Sequence, residues 1–262
     1  MSGNEPVDED TIRCRRWDDG QGIAADLRLR SFSMVQLPEA DSLEQDLVDV
    51  DTVAFGDRAE ELAAASPYDE LLEFGYLRCA SKEFFACKTG LPLSTMWPSP
   101  EFQRFAESLF WRQDALARRL FLALNVGGAE VLQGAPLSSD EISHSFMHLF
   151  RYFGGGPPAP GKLPCEAHTD SGLVTVIPRA RGEAGLECLD RSTGRFVATE
   201  LLFREEPRVC TVLAGETLAA LTRSEISGTV HRVVPTAGPR VSVPFQLRAS
   251  PEWVLKMART WC

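Results

Sequence analysis

The sequence predicts a mainly β protein in which a helix-rich first half precedes an antiparallel double-sheet barrel of the jelly-roll kind. Two changes of texture carry this expectation. From about Pro100 to Leu124 apolar residues recur every three to four positions, the period of a helix with one buried face. Beyond residue 145 the apolar runs become short and are separated by Gly, Pro and charged turns. About eight such runs in roughly a hundred residues fit a closed or double-sheet antiparallel architecture.

Taken in order, residues 1–16 read as a polar leader with room for one edge strand, and 17–262 as a single domain. Within it, 17–144 form the helical buttress and 145–250 the barrel core. Asp18 to Arg30 starts a short helix. Phe32 to Leu37 alternates apolar and polar residues until Pro38 stops it, a strand pattern. Asp57 to Ala65 reads as a helix with acids in its first turn, and Pro67 to Phe74 as a further helical turn. In the long helix, Phe102, Phe105, Leu109, Leu116, Leu120 and Leu124 share one face. Pro100 suits its first turn, Gly127-Gly128 stops it, and Ser138 to Glu141 offers another N-cap. The expected strands are 146–153, 173–178, 185–190, 195–198, 209–213, 217–222, 229–234 and 240–248.

Apolar residues make up 44% of the 262, enough for a real core. The longest apolar stretches, such as Leu120 to Val126, are too short to cross a bilayer. The acidic start has neither the basic nor the apolar region of a secretory signal. The seven cysteines, Cys14, Cys79, Cys87, Cys165, Cys188, Cys210 and Cys262, form no Cys-x-x-Cys pair. Reduced thiols in a cytoplasmic protein are the simplest reading. The net charge of −10 is uneven: residues 1–75 carry 19 acids and 6 bases, residues 76–262 carry 18 acids and 21 bases. The acidic part reads as a solvated surface. The mildly basic part suits an anionic small molecule, and no basic stripe suggests nucleic acid.

Four histidines are present: His144, His148, His168 and His231. His168 and Asp170 are two residues apart, so on a strand both point to the same side. His231, on a later strand, can complete a two-histidine, one-carboxylate set that leaves coordination positions open, as non-haem iron(II) oxygenases require. By itself His-x-Asp is equally a turn aspartate beside a core histidine. Nine residues after His231, Arg240 and Ser242 share a face. A guanidinium fork and a hydroxyl suit the distal carboxylate of a dicarboxylic acid, although an ordinary ion pair at a barrel rim has the same pattern.

These residues sit in an ordered series: His168-Thr169-Asp170-Ser171-Gly172, Gly185-Leu186-Glu187-Cys188-Leu189, Gly215-Glu216-Thr217-Leu218, His231-Arg232-Val233-Val234, and Arg240-Val241-Ser242-Val243-Pro244-Phe245. The series resembles the iron(II)/2-oxoglutarate oxygenase superfamily, and within it the isopenicillin N synthase-like branch. Upstream, Leu27 to Pro38, Gly75-Tyr76 and Lys82-Glu83-Phe84 resemble its early segments, so the resemblance covers roughly residues 17–248. It implies a double-stranded β-helix with iron(II) on His168, Asp170 and His231, and 2-oxoglutarate on Arg240 and Ser242. It also implies use of O2 and oxidation of a small molecule, most commonly hydroxylation, with release of succinate and CO2. Desaturation and ring closure also occur in the family.

Three departures stand out. Where the family often has a tyrosine touching the cosubstrate, fifteen residues before the first metal histidine, this chain has Phe153, with Tyr152 adjacent. Two residues earlier, the usual asparagine or histidine is Arg151. The sequence ends about twenty residues after Ser242, so the family's long C-terminal helix over the active site is expected to be missing. The fifteen-residue spacing puts Phe153, and with it Arg151, on the interior face. There Arg151 would hold an anionic group or pair with a protein acid. A slip of one residue would place Tyr152 inside instead. Gln246 falls on the Arg240–Ser242 face, where some relatives have a stacking aromatic.

Gly154 to Pro158 with Gly161-Lys162 lacks the Ser or Thr of a phosphate loop and reads as a turn. His144 and His148 have zincin-like spacing without the glutamate, and read as a structural pair. Two other functions fit the same residues: an iron oxidase that does not use 2-oxoglutarate, and an inactive barrel that only binds.

Overall fold

The computed structural model describes residues 12–39, 43–56, 58–90, 93, 95–132, 141–157 and 159–261. The N-cap expected at Ser138 to Asp140 lies outside them.

The chain enters through strand β1 (Cys14–Arg16), which runs parallel to β2 (Phe32–Gln36) at one sheet edge. Between them lies helix α1 (Gly20–Arg30), whose first turn is capped by the Asp19 carboxylate accepting from Gly22 N at 3.0 Å. Helices α2 (Glu44–Asp49) and α3 (Ala59–Ala65) follow, with a π-helical turn at Val50–Phe55 between α2 and α3. Residues 67–74, expected as a helical turn, instead fold back so that Pro67 and Asp69 bridge to Tyr76 and Phe74. Asp69 Oδ1 accepts the amides of Leu71 and Leu72, the local competition that draws aspartate away from helices. Strands β3 (Gly75–Arg78) and β4 (Lys82–Cys87) then pair, and the long helix α4 (Pro100–Ala123) crosses behind the sheet.

The second half supplies β5 (Phe146–Tyr152), β6 (Cys165–His168), β7 (Val174–Pro178), β8 (Arg181–Gly182), β9 (Leu186–Asp190) and β10 (Arg195–Ala198). After the short helix α5 (Thr199–Leu202) come β11 (Val209–Ala214), helix α6 (Glu216–Leu221), β12 (His231–Val233), β13 (Arg240–Ser242), β14 (Phe245–Leu247) and α7 (Pro251–Trp261). The major sheet runs β1-β2-β11-β7-β14-β5, with β13 beside β14 on one edge of β5 and β4-β3 on the other. The minor sheet runs β10-β9-β12-β6. The two face each other as a double-stranded β-helix, and the helices cover the outer face of the major sheet.

One expected strand is a helix. Residues 217–222 fall largely within α6, because Ala219-Ala220 favour helix and Leu218 is the buried anchor of that turn. After β14 the eleven-residue helix α7 forms and packs Trp253 on the core; no α7 residue lines the cavity among the described residues.

Helix α4 explains the division of the core. Ser99 Oγ caps it by accepting Phe102 N at 3.1 Å. Phe102, Leu109, Leu116 and Leu120 are buried as the period requires, and Phe110 meets Phe245 edge-on with ring centroids 5.1 Å apart. Each such side chain contributes about 1.5–3 kcal/mol by leaving water. Gln113 Nε2 donates to Val243 O at 3.2 Å, tying the helix to the sheet. A second, smaller cluster built on Phe32, Met34, Ile177, Leu186 and Leu213 fills one end between the sheets. The remaining space between the sheets is the cavity described next.

Arg151 lies on the helix-covered face of the major sheet, not inside the barrel. Its register partners on either side are Val241 and Glu83. Nε donates to Glu83 Oε1 at 2.5 Å and Nη2 to Gly56 O at 3.1 Å, while Nη1 lies 3.8 Å from Asp51. The guanidinium thereby pins the π-helical turn to the sheet. Phe153 is beyond the end of β5, under Arg78 at 5.0 Å, and does not line the cavity. The interior expected for both fails because the loop after β5 is one residue longer than the family spacing. Tyr152, sixteen residues before His168, takes the inward position. Arg151→Met should therefore cost about 2–4 kcal/mol, because it strands the fully buried Glu83 carboxylate. Urea denaturation should show this loss.

Candidate active site

Strands β6 and β12 pair so that His168 and His231 are direct partners, with a bulge after His231. Two imidazoles on facing positions of an antiparallel pair project to the same side, and their ring centroids are 4.3 Å apart. Each ring is oriented from behind. His168 Nδ1 donates to Glu166 O at 2.8 Å and His231 Nδ1 to Thr229 O at 3.2 Å. That tautomer leaves both Nε2 lone pairs facing Asp170, at 3.7 Å from Oδ1 and 3.9 Å from Oδ2 respectively. The three ligand atoms lie within 4.8 Å of one another. A cation bonded at about 2.0–2.2 Å would space its neighbouring ligand atoms about 3–4 Å apart.

Asp170 follows the end of β6, and its loop is clamped by α6. Asp170 O accepts Glu216 N at 2.8 Å, Ser171 O accepts Thr217 Oγ1 at 2.6 Å, and Thr169 Oγ1 donates to Glu216 Oε1 at 2.6 Å. The backbones approach so closely that a Cβ on Gly215 would lie 2.0 Å from Gly172 O, which is why glycine stands there. Thr175 Oγ1 donates to Asp170 Oδ2 from β7. Burial lowers the His231 imidazole, whereas contact with Cys165 raises His168 to about 9, so a cation bound there would displace the proton from its Nε2.

The triad opens into a cavity between the sheets, lined also by Phe146, His148, Phe150, Tyr152, Arg240, Ser242 and Gln246. Arg240 is 1% exposed. Glu200, from α5, receives its Nη2 at 2.8 Å and its Nε at 3.3 Å. Burial would raise the Glu200 carboxyl, but Arg240 and the amides of Gly185 and Leu186 hold it below its ordinary range. Nη1 makes no hydrogen bond among the described residues, so the far end of the guanidinium is open to the cavity. Tyr152 stands beside Arg240 in register, with the guanidinium 5.1 Å from its ring. Its hydroxyl, like that of Ser242, has no partner among the described residues. Tyr152, not Phe153, therefore brings a hydroxyl-bearing ring to this wall.

Gln246 lines the cavity as the alternation of β13 and β14 implies. Its Oε1 accepts from Arg248 Nε at 2.9 Å and Ser171 Oγ at 3.3 Å. Arg248 in turn grips Glu73, which also receives Lys88. Burial alone would raise Glu73, but these cations bring its carboxyl down to about 2. A carboxyl held below its unfolded value stabilises the fold above about pH 4.5, and that contribution fades as pH falls toward 2. The stability gap between the unsubstituted chain and Glu73→Gln, read by urea denaturation, should therefore be full at pH 6 and shrink steadily below pH 4.5.

Two residues of this site escape the sequence reading. Glu200 is the one acid in a largely apolar run, Phe196 to Phe203, and nothing local names its partner. His148, expected as structural, lines the cavity with neither ring nitrogen hydrogen-bonded among the described residues. Burial pushes this imidazole down to about 4, so it is neutral. Its place among the even positions of β5 is the signal that could have found it.

A double-stranded β-helix holding two histidines and a carboxylate at the mouth of an inner cavity defines the scaffold of the mononuclear non-haem oxygenases. Residues 145–249 match the family model of the 2OG-Fe(II) oxygenase superfamily. A 104-residue stretch is 33% identical to the 2-oxoglutarate-dependent dioxygenase DAO of Oryza sativa subsp. indica. That stretch is 39% of this chain but only 32% of the rice protein. Among solved structures, a full-length Neurospora crassa protein in complex with alpha-KG superposes with a TM-score of 0.76 at 17% identity, covering 93% of this chain and 87% of that one. The rice dioxygenase for auxin oxidation gives 0.70 at 19%, covering 92% and 84%. These likenesses extend the shared fold into the helical half and are consistent with the isopenicillin N synthase-like branch. No helix among the described residues is long and apolar enough to cross a membrane.

Proposed function

We propose that this protein is an iron(II)- and 2-oxoglutarate-dependent oxygenase that oxidises, most simply hydroxylates, a small molecule with release of succinate and CO2. The observation that carries the reading is one cavity with two differentiated ends. At one end two imidazoles, each oriented through Nδ1, turn Nε2 toward one carboxylate. At the other, Arg240, Ser242 and Tyr152 present donors to an anion. Iron(II) bound to His168, Asp170 and His231 would supply O2 activation and oxidative decarboxylation of the cosubstrate. Arg240 and Ser242 hold the distal carboxylate of 2-oxoglutarate, and Tyr152 adds a third donor. Glu200 keeps Arg240 in place, and the aromatic wall excludes water from the reacting end.

The Neurospora crassa protein is described with thymine and with 5-formyluracil bound, and DAO is named for auxin oxidation. A small-molecule substrate suits the enclosed cavity here as well. The excess of bases over acids beyond residue 75 supports an anionic substrate. The unpaired thiols among the described cysteines support a cytoplasmic location.

Anaerobic titration with iron(II), followed by aeration with 2-oxoglutarate and assay of succinate, tests the reading. One iron should bind per chain, and succinate should form only when iron, O2 and 2-oxoglutarate are all present. Iron-dependent oxidation without succinate would instead select the oxidase that does not use 2-oxoglutarate. Absence of iron binding would select a barrel that only binds.

A further inference from the structure

The end of the cavity away from Arg240 carries a polar group of its own. Strand β14 sets Gln246 between Phe146 of β5 and Thr175 of β7. Thr175 donates to Asp170, and Ser171, the next residue after Asp170, donates to the Gln246 amide oxygen. Gln246 therefore stands beside the proposed metal. Arg240 pairs with Tyr152, six residues further along β5 than the Phe146 partner of Gln246. At about 3.3 Å per residue the two rows are about 20 Å apart along the strand. A five-carbon diacid anchored on Arg240 stops short of Gln246.

The orientation of this amide is fixed. An arginine Nε–H can only donate, so the Gln246 atom 2.9 Å from Arg248 Nε is the carbonyl oxygen. Ser171 Oγ approaches the same oxygen at 3.3 Å. Arg248 is itself held, because Glu73 accepts from both its terminal nitrogens, at 2.6 and 2.8 Å. Its guanidinium also lies 4.4 Å from the Phe146 ring centre. The Gln246 stem packs on Gly172, where a Cβ would lie 2.7 Å from Gln246 Cγ. The amide nitrogen is left with no acceptor among the described residues. Gln246 is 6% exposed and lines the cavity. Its nitrogen is not sealed away without a partner, as Gln113 Oε1 is, so its open face gives on the cavity. A donor taken out of bulk water and left unmade is costly until something accepts from it.

Building on the oxygenase reading, we infer that Gln246 is a specificity-determining residue whose amide N–H donates to a carbonyl or carboxylate oxygen of the substrate beside the metal. Arg248 and Glu73 are positioning residues that keep the amide oxygen outward and the donor inward. A substrate that presents an ammonium at this point meets a second donor and is refused.

Gln246→Glu is the discriminating change. It keeps an oxygen for Arg248 and Ser171 and puts a second oxygen where the donor was. Calorimetry on the full chain, loaded with iron(II) and 2-oxoglutarate under argon, reads the outcome with cyclohexanone, cyclohexanecarboxylate and cyclohexylamine as probes. In the unsubstituted chain at least one oxygen probe should bind about tenfold more tightly than the amine, the scale of one hydrogen bond. The ketone in the lead assigns a neutral carbonyl, and the carboxylate in the lead an acid; either supports the inference. Gln246→Glu should reverse the order, weakening the oxygen probes and strengthening the amine by about tenfold each. Arg248→Met frees the amide to rotate and leaves Glu73 with Lys88. It should bring oxygen probe and amine to within about threefold of each other. Circular dichroism and iron titration establish that both variants are folded and loaded. An amine that binds as tightly as the oxygen probes in the unsubstituted chain overturns the inference, as does binding of no probe. An unchanged order in Gln246→Glu also overturns it and leaves Gln246 as a strut for the Asp170 loop. So does an effect of that variant on 2-oxoglutarate uptake instead of on the probes. If the unsubstituted chain takes up neither iron nor 2-oxoglutarate, the oxygenase reading falls and the inference with it. Failure on a loaded chain removes only the role of Gln246.

Discussion

His231→Ala should abolish iron uptake and reduce succinate formation by about a thousandfold or more, since the metal's contribution of several kcal/mol is lost as a whole. His231 is 6% exposed and pairs in register with His168, so alanine there leaves the set one ligand short from inside the fold. Asp170→Asn keeps the shape of the third ligand but removes its charge, and should be nearly as severe. Thr175→Val provides the graded comparison. It removes only the hydroxyl that donates to Asp170, and such supporting contacts typically change metal affinity 10–100-fold. Anaerobic iron titration gives all three values. Iron affinity within twofold of the unsubstituted chain in His231→Ala would remove His231 from the metal centre.

The second large effect is expected at Arg240. Arg240→Lys retains the positive charge beside Glu200 but loses the planar fork, and should raise the Michaelis constant for 2-oxoglutarate tenfold or more. Iron affinity should not change. Arg240→Met is a different experiment. It leaves the Glu200 carboxylate buried with no counter-ion, at a cost of about 3–5 kcal/mol, so its lost activity would reflect unfolding as well as cosubstrate. Ser242→Ala should raise the same constant a few-fold without a stability change. Unaltered decarboxylation in a chain carrying both Arg240→Lys and Ser242→Ala would rule out this anchor.

What the sequence reveals depends on how far each partner lies along the chain. The pairs His168/Asp170 and Arg240/Ser242 are two residues apart, so strand alternation alone places each on one face. The same rule fails at Arg151 and Phe153, because it is anchored to a spacing across residues 153–164, a loop one residue longer than expected. Alternation says which residues share a face, but not which face is inside. Glu200 and Glu73 are invisible for another reason. Glu200 meets Arg240 forty positions later, and Glu73 meets Arg248 far later in the chain, so no local pattern records either contact. Helix α6 has the apolar texture of a strand, and its role in clamping the Asp170 loop is therefore hidden at the level of sequence. The helices before residue 100 are partly legible: α1 and α3 carry recognisable starts. Helix α2 and the π-helical turn occupy an acid-rich stretch in which Leu47, Val50, Ala54 and Phe55 are buried at helical spacing, i, i+3, i+7 and i+8, a signal the sequence reading passed over.

The direct pairing of His168 with His231 also bears on how the chain folds. Its two imidazoles are 63 residues apart in sequence, with strands β7 to β11 between them in the chain. Contacts of such high order form slowly. An unfolded chain offers only scattered ligands, so the complete chelate exists only in the native state. Mass action then couples metal supply to folding: iron at about a hundred times its dissociation constant would add about 2.7 kcal/mol to the native state. The unfolding temperature of this protein would accordingly rise with free iron, and a cell short of the metal would hold it nearer the threshold at which proteases find it.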